Sequence, residues 1–221
     1  VDDVWEVDGW RDGGRAQGCM AAIAGAVHGL HTRGLVHGDV KAANVLIRAD
    51  GSTAFLCDFG LTRVSTRSGG GYGTRGYRAP EVSRVADSNT VYTKGARALA
   101  LDMWALGVTF LQFLCGRTCL VRAEESTGGR KQHWTNSADQ QDAQLAKTAA
   151  RGEQSEEGAV EEWRKFVLGV DTENGNDGRT VRCSNNVYEV MSVMLKPDAG
   201  ERLLAADAAQ MCAQQSFLVS K

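Results

Sequence analysis

Between Ala16 and Arg33 the residues Met20, Ile23, Ala24, Val27, Leu30 and His31 recur at helical spacing, and Gly34 follows as a C-terminal cap. That pattern predicts an amphipathic helix. The period then changes. Leu35-Val36, Val45 to Arg48 and Thr53 to Cys57 read as short β segments, with a turn at Asp50-Gly51 between the last two. Residues 60 to 78 are glycine-rich and read as a loop. Leu99 to Cys115 is apolar on nearly every face, which predicts a buried helix. Residues 121 to 158 are polar and weakly patterned, consistent with a helix or two and an exposed insertion. Val187 to Leu195 and Leu203 to Cys212 read as two closing helices, while the first 15 residues predict no element. The expected order is mostly α, with a small hairpin-like β element.

Composition narrows the class. The chain of 221 residues is 43% hydrophobic and 24% charged, with a net charge of −2, ordinary for a soluble globular domain. No global basic field points to nucleic acid or to an anionic membrane. The most apolar run, Met103 to Leu111, is too short to span a bilayer. Of the six cysteines only Cys115 and Cys119 are close, and no second pair completes a zinc site. Scattered thiols of this kind read as small core residues in a reducing compartment. The expectation is an intracellular protein, cytoplasmic or nuclear. The chain opens on Val1 without an initiator methionine or a signal-peptide pattern, and it reads as an excerpt of a longer protein.

Chemistry concentrates on the β segments. LVHGDVKAANVLI runs from Leu35 to Ile47, and Asp58-Phe59-Gly60 directly follows the last β segment. Ala79-Pro80-Glu81 comes next, and then Asp102-Met103-Trp104-Ala105-Leu106-Gly107 on the apolar helix. Taken singly, Asp39, Asn44 and Asp58 would be turn, loop or cap residues. Four motifs in this order and spacing resemble the C-terminal lobe of the eukaryotic protein kinases. The resemblance runs from Ala16 to about Phe217 and is weak over residues 121 to 180. It implies one kinase domain over residues 1–221, represented by its helical C-terminal lobe with a small β element and lacking the N-terminal lobe.

The resemblance assigns roles. Phosphoryl transfer needs an in-line nucleophile and neutralised phosphate charge, with little covalent work from the protein. Asp39 would accept or orient the substrate hydroxyl proton, and Lys41 would place its ammonium on the transferring phosphate of ATP. Asn44 and Asp58 would each hold a Mg²⁺ ion, and Leu46 would line the floor of the adenine pocket. Thr74 would hydrogen-bond Asp39 and Lys41, as in the serine/threonine branch, which the lysine two residues after Asp39 also marks. His37 and Phe59 resemble spine residues tied to the buried helix through Asp102. Glu81 and Arg202 match the family's long-range ion pair.

Two departures qualify the activity. Gly38 stands where most kinases carry the arginine that clamps an activation-loop phosphate, which implies activity independent of that phosphorylation. The first lysine of the chain is Lys41 and no glycine-rich hairpin precedes the first helix, so residues 1–221 alone should bind ATP poorly. Gly71-Tyr72-Gly73-Thr74-Arg75-Gly76 fits G-x-G-x-x-G, but no strand precedes it, and it reads instead as the end of the activation segment. GTRGYRAPEV and LDMWALGVTFL most resemble the replication-origin-firing DDK catalytic subunit, although those kinases keep the loop arginine. The resemblance implies a serine/threonine protein kinase. Thr74 and Arg75 would lie against the protein substrate, with Arg75 favouring an acidic or phosphorylated residue after the phosphoacceptor, and an activating subunit is left open. The alternatives are a pseudokinase scaffold that binds a partner without turnover and a truncated, inactive product.

Overall fold

The computed structural model describes residues 14–67, 73–83, 94–115, 145–151, 158, 163 and 185–214. Its first element is helix α1 (Gly14–His31), with Met20, Ile23, Ala24 and Val27 fully buried on one stripe. The apolar spacing runs on to Arg33, yet the helix ends earlier because the chain tightens. Arg33 N donates to Leu30 O and Gly34 N to His31 O, both at 2.9 Å, and Gly34 takes a left-handed φ of 68°.

Two separate antiparallel ribbons follow. Strands β2 (Val45–Ile47) and β3 (Ala54–Leu56) form the expected hairpin, and Leu46 faces Phe55 across it. Strand β1 (Leu35–Val36) pairs with β4 (Arg63–Val64), in the register Leu35 to Val64 and Val36 to Arg63. β4 lies in the stretch expected to be loop. Two residues cannot show a period, so nothing in the sequence announces it. The same holds for the four-residue helix α2 (Pro80–Ser83).

Helix α3 (Ala96–Cys115) is the axis of the core. Trp104, Leu106, Val108, Phe110, Leu111 and Phe113 are all fully buried, as an apolar circumference requires. Helices α4 (Asn185–Met194) and α5 (Ala205–Gln214) close the fold, α4 against α3 and α5 against α1. Residues 145–151 are helical, and Leu145, Ala149 and Trp163 join the same core. The helix at 145–151 falls within residues 121 to 158, where a helix or two was expected; apart from 145–151, 158 and 163, residues 121 to 180 lie outside the described residues. Cys19 and Cys212 are buried, and burial pushes their thiols up to about 11 and about 12, with Asp50 adding to the shift at Cys19. They act as core residues, as expected. Among the described residues no helix is long and apolar enough to cross a membrane.

One ion pair locks α2 onto this core. The Arg202 guanidinium grips Glu81 bidentately at 2.7 and 2.6 Å. Its other N–H groups donate to the carbonyls of Lys196 (2.8 Å), Ala100 (3.0 Å) and Pro197 (3.1 Å). Every donor has an acceptor, which is the condition under which a buried guanidinium is tolerated. The face of Trp104 lies 5.2 Å from it.

Gly107 sets the approach of α3 to α4. A Cβ there would fall 2.8 Å from Leu195 Cγ and Cδ2 and 3.3 Å from Met194 Cβ. Gly107→Ala should therefore destabilise the fold by about 1–3 kcal/mol despite the higher helix propensity of alanine, measured by urea denaturation. A variant as stable as the parent would show that this contact is loose.

Candidate active site

The site is built on one carboxylate. Asp102, on the second turn of α3 and 2% exposed, accepts the backbone N–H of His37 at 2.7 Å and of Gly38 at 2.9 Å. The ring of His31 at the end of α1 reaches the same carboxylate at 3.1 Å. Three elements, α1, α3 and the loop after β1, are pinned at a single side chain. The His37 ring bridges further, with Nδ1 facing Asp39 N and Nε2 facing Cys57 O, each at 3.3 Å. In the neutral tautomer that fits both contacts, Nδ1 accepts and Nε2–H donates. Phe59 packs on it with ring centroids 5.2 Å apart.

On this base the loop presents Asp39. Lys41 Nζ donates to Asp39 Oδ2 at 2.7 Å and to Thr74 Oγ1 at 2.8 Å. The Thr74 hydroxyl and backbone N–H both donate to Asp39 Oδ1, at 2.8 and 2.9 Å. Asn44 Nδ2 donates to the Asp39 carbonyl at 2.8 Å and to Oδ2 at 3.2 Å. Asp39, Lys41, Asn44 and Thr74 are thus one hydrogen-bonded cluster spanning 35 residues of sequence between Asp39 and Thr74. Burial pushes the Asp39 carboxyl up, but the hydrogen bonds from Lys41 and Thr74 outweigh it and hold the group below the usual aspartate range. It is ionised at neutral pH.

The remaining expected residues lie around this cluster. Asp58 is exposed with φ of 62°, and one of its oxygens accepts the Gly60 N–H at 3.2 Å. It is tied to Asn44 through Cys57, whose N–H and thiol both donate to Asn44 O, at 2.9 and 3.2 Å. Leu46 is 58% exposed beside Phe55, also 58%, so the outer face of the β2–β3 hairpin is apolar. Arg75 is exposed, whereas Arg78 turns back and donates to Gly73 O at 3.0 Å. Gly73, from the rejected glycine motif, has φ of 75°, and a Cβ there would press to 3.0 Å of Gly38 O. Its glycine serves close approach to the Asp39 loop. Gly38 itself has φ of 83°, and a Cβ would lie 2.9 Å from Leu61 O. A side chain at that position would have to push the segment after Phe59 away.

Sequence reasoning missed several supports. His31 carries no signal beyond its place at the helix end. The Tyr77 hydroxyl donates to Gln112 Oε1 on α3, a contact between side chains 35 residues apart that no local pattern encodes.

With this geometry in place, comparison with known proteins fixes the class. The family model for the protein kinase domain matches residues 7–217. The chain belongs to the eukaryotic protein kinase superfamily, in its serine/threonine branch. Similar proteins include the serine/threonine-protein kinase sck2 of Schizosaccharomyces pombe, 35% identical over 106 residues (46% of this chain, 15% of that protein). The serine/threonine-protein kinase SCH9 of Saccharomyces cerevisiae is 38% identical over 104 residues (46% and 12%). The calcium/calmodulin-dependent protein kinase cmkB of Emericella nidulans is 34% identical over 106 residues (45% and 24%). The matched stretch thus spans less than a quarter of the length of these relatives.

The lowered Asp39 pKa has a sign. A carboxyl depressed in the folded state contributes stability above its unfolded value of about 3.9, and loses it as pH falls through the folded value. Asp39→Asn should therefore lower the melting temperature at pH 7, and the gap to the parent should close as pH drops below about 4. A gap that stays constant or widens on acidification would contradict the pairing.

Proposed function

We propose that this chain is the C-terminal lobe of a protein serine/threonine kinase and supplies the loop over which phosphate passes from ATP to a protein hydroxyl. The observation that carries this is the Asp39 carboxylate held between the Lys41 ammonium and the Thr74 hydroxyl and amide. A carboxylate so fixed has its orientation decided before a substrate arrives, which is how positioning lowers a barrier. Its low proton affinity suits an acceptor that aligns a hydroxyl and takes the proton late, as a loose phosphoryl transition state requires. Lys41 is then the cation beside the transferring group.

The donor set fits Mg²⁺. Asn44 commits its N–H groups to Asp39, leaving Oδ1 as a hard oxygen donor. Among the described residues the Asp58 carboxylate accepts only the Gly60 N–H, so oxygen lone pairs remain there too. Two hard oxygens on adjacent loops suit a small cation that draws its other ligands from phosphates and water. Bound Mg²⁺ and nucleotide would supply charge neutralisation and the transferable phosphoryl group. Leu46 and Phe55 offer an apolar floor to a flat base. That floor is open, which supports the reading of this chain as one lobe of a two-lobed cleft. Gly38 supports a kinase that works without activation-loop phosphorylation. Exposed Arg75, on the loop after Thr74, supports preference for a carboxylate or phosphate just after the target hydroxyl.

The test is turnover by the full-length protein. Asp39→Asn should cut phosphoryl transfer by about two to four orders of magnitude while nucleotide affinity stays near that of the parent. Asp58→Asn should weaken Mg²⁺-dependent nucleotide binding as well. Near-native turnover in Asp39→Asn would remove its catalytic role, and a parent that binds nucleotide without turnover would favour the scaffold reading.

A further inference from the structure

The outer end of the β1–β4 ribbon gathers basic charge that the proposed chemistry does not use. Ser65 N donates to Gly34 O at 2.7 Å, and Gly95 N donates to Ser65 O at 2.9 Å. These two bonds bring three distant segments to one junction. Within two residues of it stand Arg33, Arg67, Lys94 and Arg97, all exposed. Residues 28–36, 61–67 and 94–101 contain no Asp or Glu. Asp102 beneath is buried and already engaged by His31, His37 and Gly38. None of the four cations is in an ion pair among the described residues. The chain as a whole carries a net charge of −2, so this concentration runs against its overall balance.

Clustered like charges repel one another, and the first turn of α3 holds no acid to offset Arg97. Four cations that form no ion pair among the described residues, from three segments joined by backbone hydrogen bonds, form a surface complementary to negative charge. Its size decides among polyanions. A protein that binds nucleic acid through about 6–10 phosphate contacts uses roughly twice the cations this patch offers. Membrane adsorption also wants a broad apolar face beside the charges, whereas the exposed positions here are Thr32 and Thr66 and, as the nearest large apolar side chains, only Val64 and Leu61, 42% and 43% exposed.

We propose that this junction is a docking surface for an acidic segment of a partner protein, separate from the Asp39 cluster and from Arg75. From Gly34 to His37, across the two-residue strand β1, the chain advances roughly 10 Å, so a segment bound there lies one ribbon length from the Asp39 loop. The proposal does not depend on turnover, and binding alone tests it.

The experiment measures fluorescence anisotropy of a labelled poly-glutamate peptide with the full-length protein. Saturable binding that disappears at about 1 M salt, where the Debye length is about 3 Å, is expected. The double variant Lys94→Glu/Arg97→Glu should weaken it by about tenfold or more, while Arg48→Glu, on the β2–β3 hairpin, should leave it unchanged. Since Lys94 and Arg97 are exposed, folding should survive; Lys94→Gln/Arg97→Gln gives the same reading if charge reversal does not. Absence of binding, equal loss in Arg48→Glu, or tighter binding of single-stranded RNA or phosphatidylserine vesicles than of the peptide would each overturn the proposal.

Discussion

The Asp102 carboxylate is the constraint from which the site follows. A buried carboxylate is tolerated only when its lone pairs are filled, and here two backbone amides and the His31 ring fill them. The exchange is mutual. The amides of His37 and Gly38 belong to an irregular loop that has no ladder or helix to satisfy them, and Asp102 gives them partners on the most buried helix of the fold. Loop geometry is thereby tied to α3, whose Trp104, Leu106 and Phe110 are fully buried in the core.

Everything nearer the chemistry depends on that transfer. His37, fixed through its backbone, aligns its ring between Asp39 N and Cys57 O and so couples the two loops that carry Asp39 and Asp58. Gly73 and Gly38 then allow backbone to approach backbone, and Thr74 closes on Asp39 from the far side. The second lock, Arg202 on Glu81, holds α2 and with it the end of the Thr74 segment against α3 and α4. The Asp39 cluster is a loop site hydrogen-bonded to a buried helix.

Much of this was legible in the sequence. The apolar stripe of α1, the all-round apolar face of α3 and the β2–β3 hairpin are periodic features, and periodicity survives without an alignment. The cluster of Asp39, Lys41, Asn44 and Thr74 was legible by resemblance, because motif order encodes contacts that period alone does not. What escaped was shorter than a period or depended on distance. β4 has two residues and α2 four. His31 and Gln112 act through contacts 71 and 35 residues away, and Trp163 is buried within residues 121 to 180, where the resemblance is weak. Helix ends shifted by one to three residues, where local turns and Gly34 outweighed the apolar pattern.

Amide hydrogen exchange at His37 and Gly38 tests the anchoring role of Asp102 most directly. In the parent protein these two loop amides should exchange as slowly as the core amides of α3. In Asp102→Leu they should exchange at the rate of an open loop, while α3 around Phe110 keeps its protection. If both amides remain protected in that variant, the loop is held by something other than Asp102 and the account of the site fails.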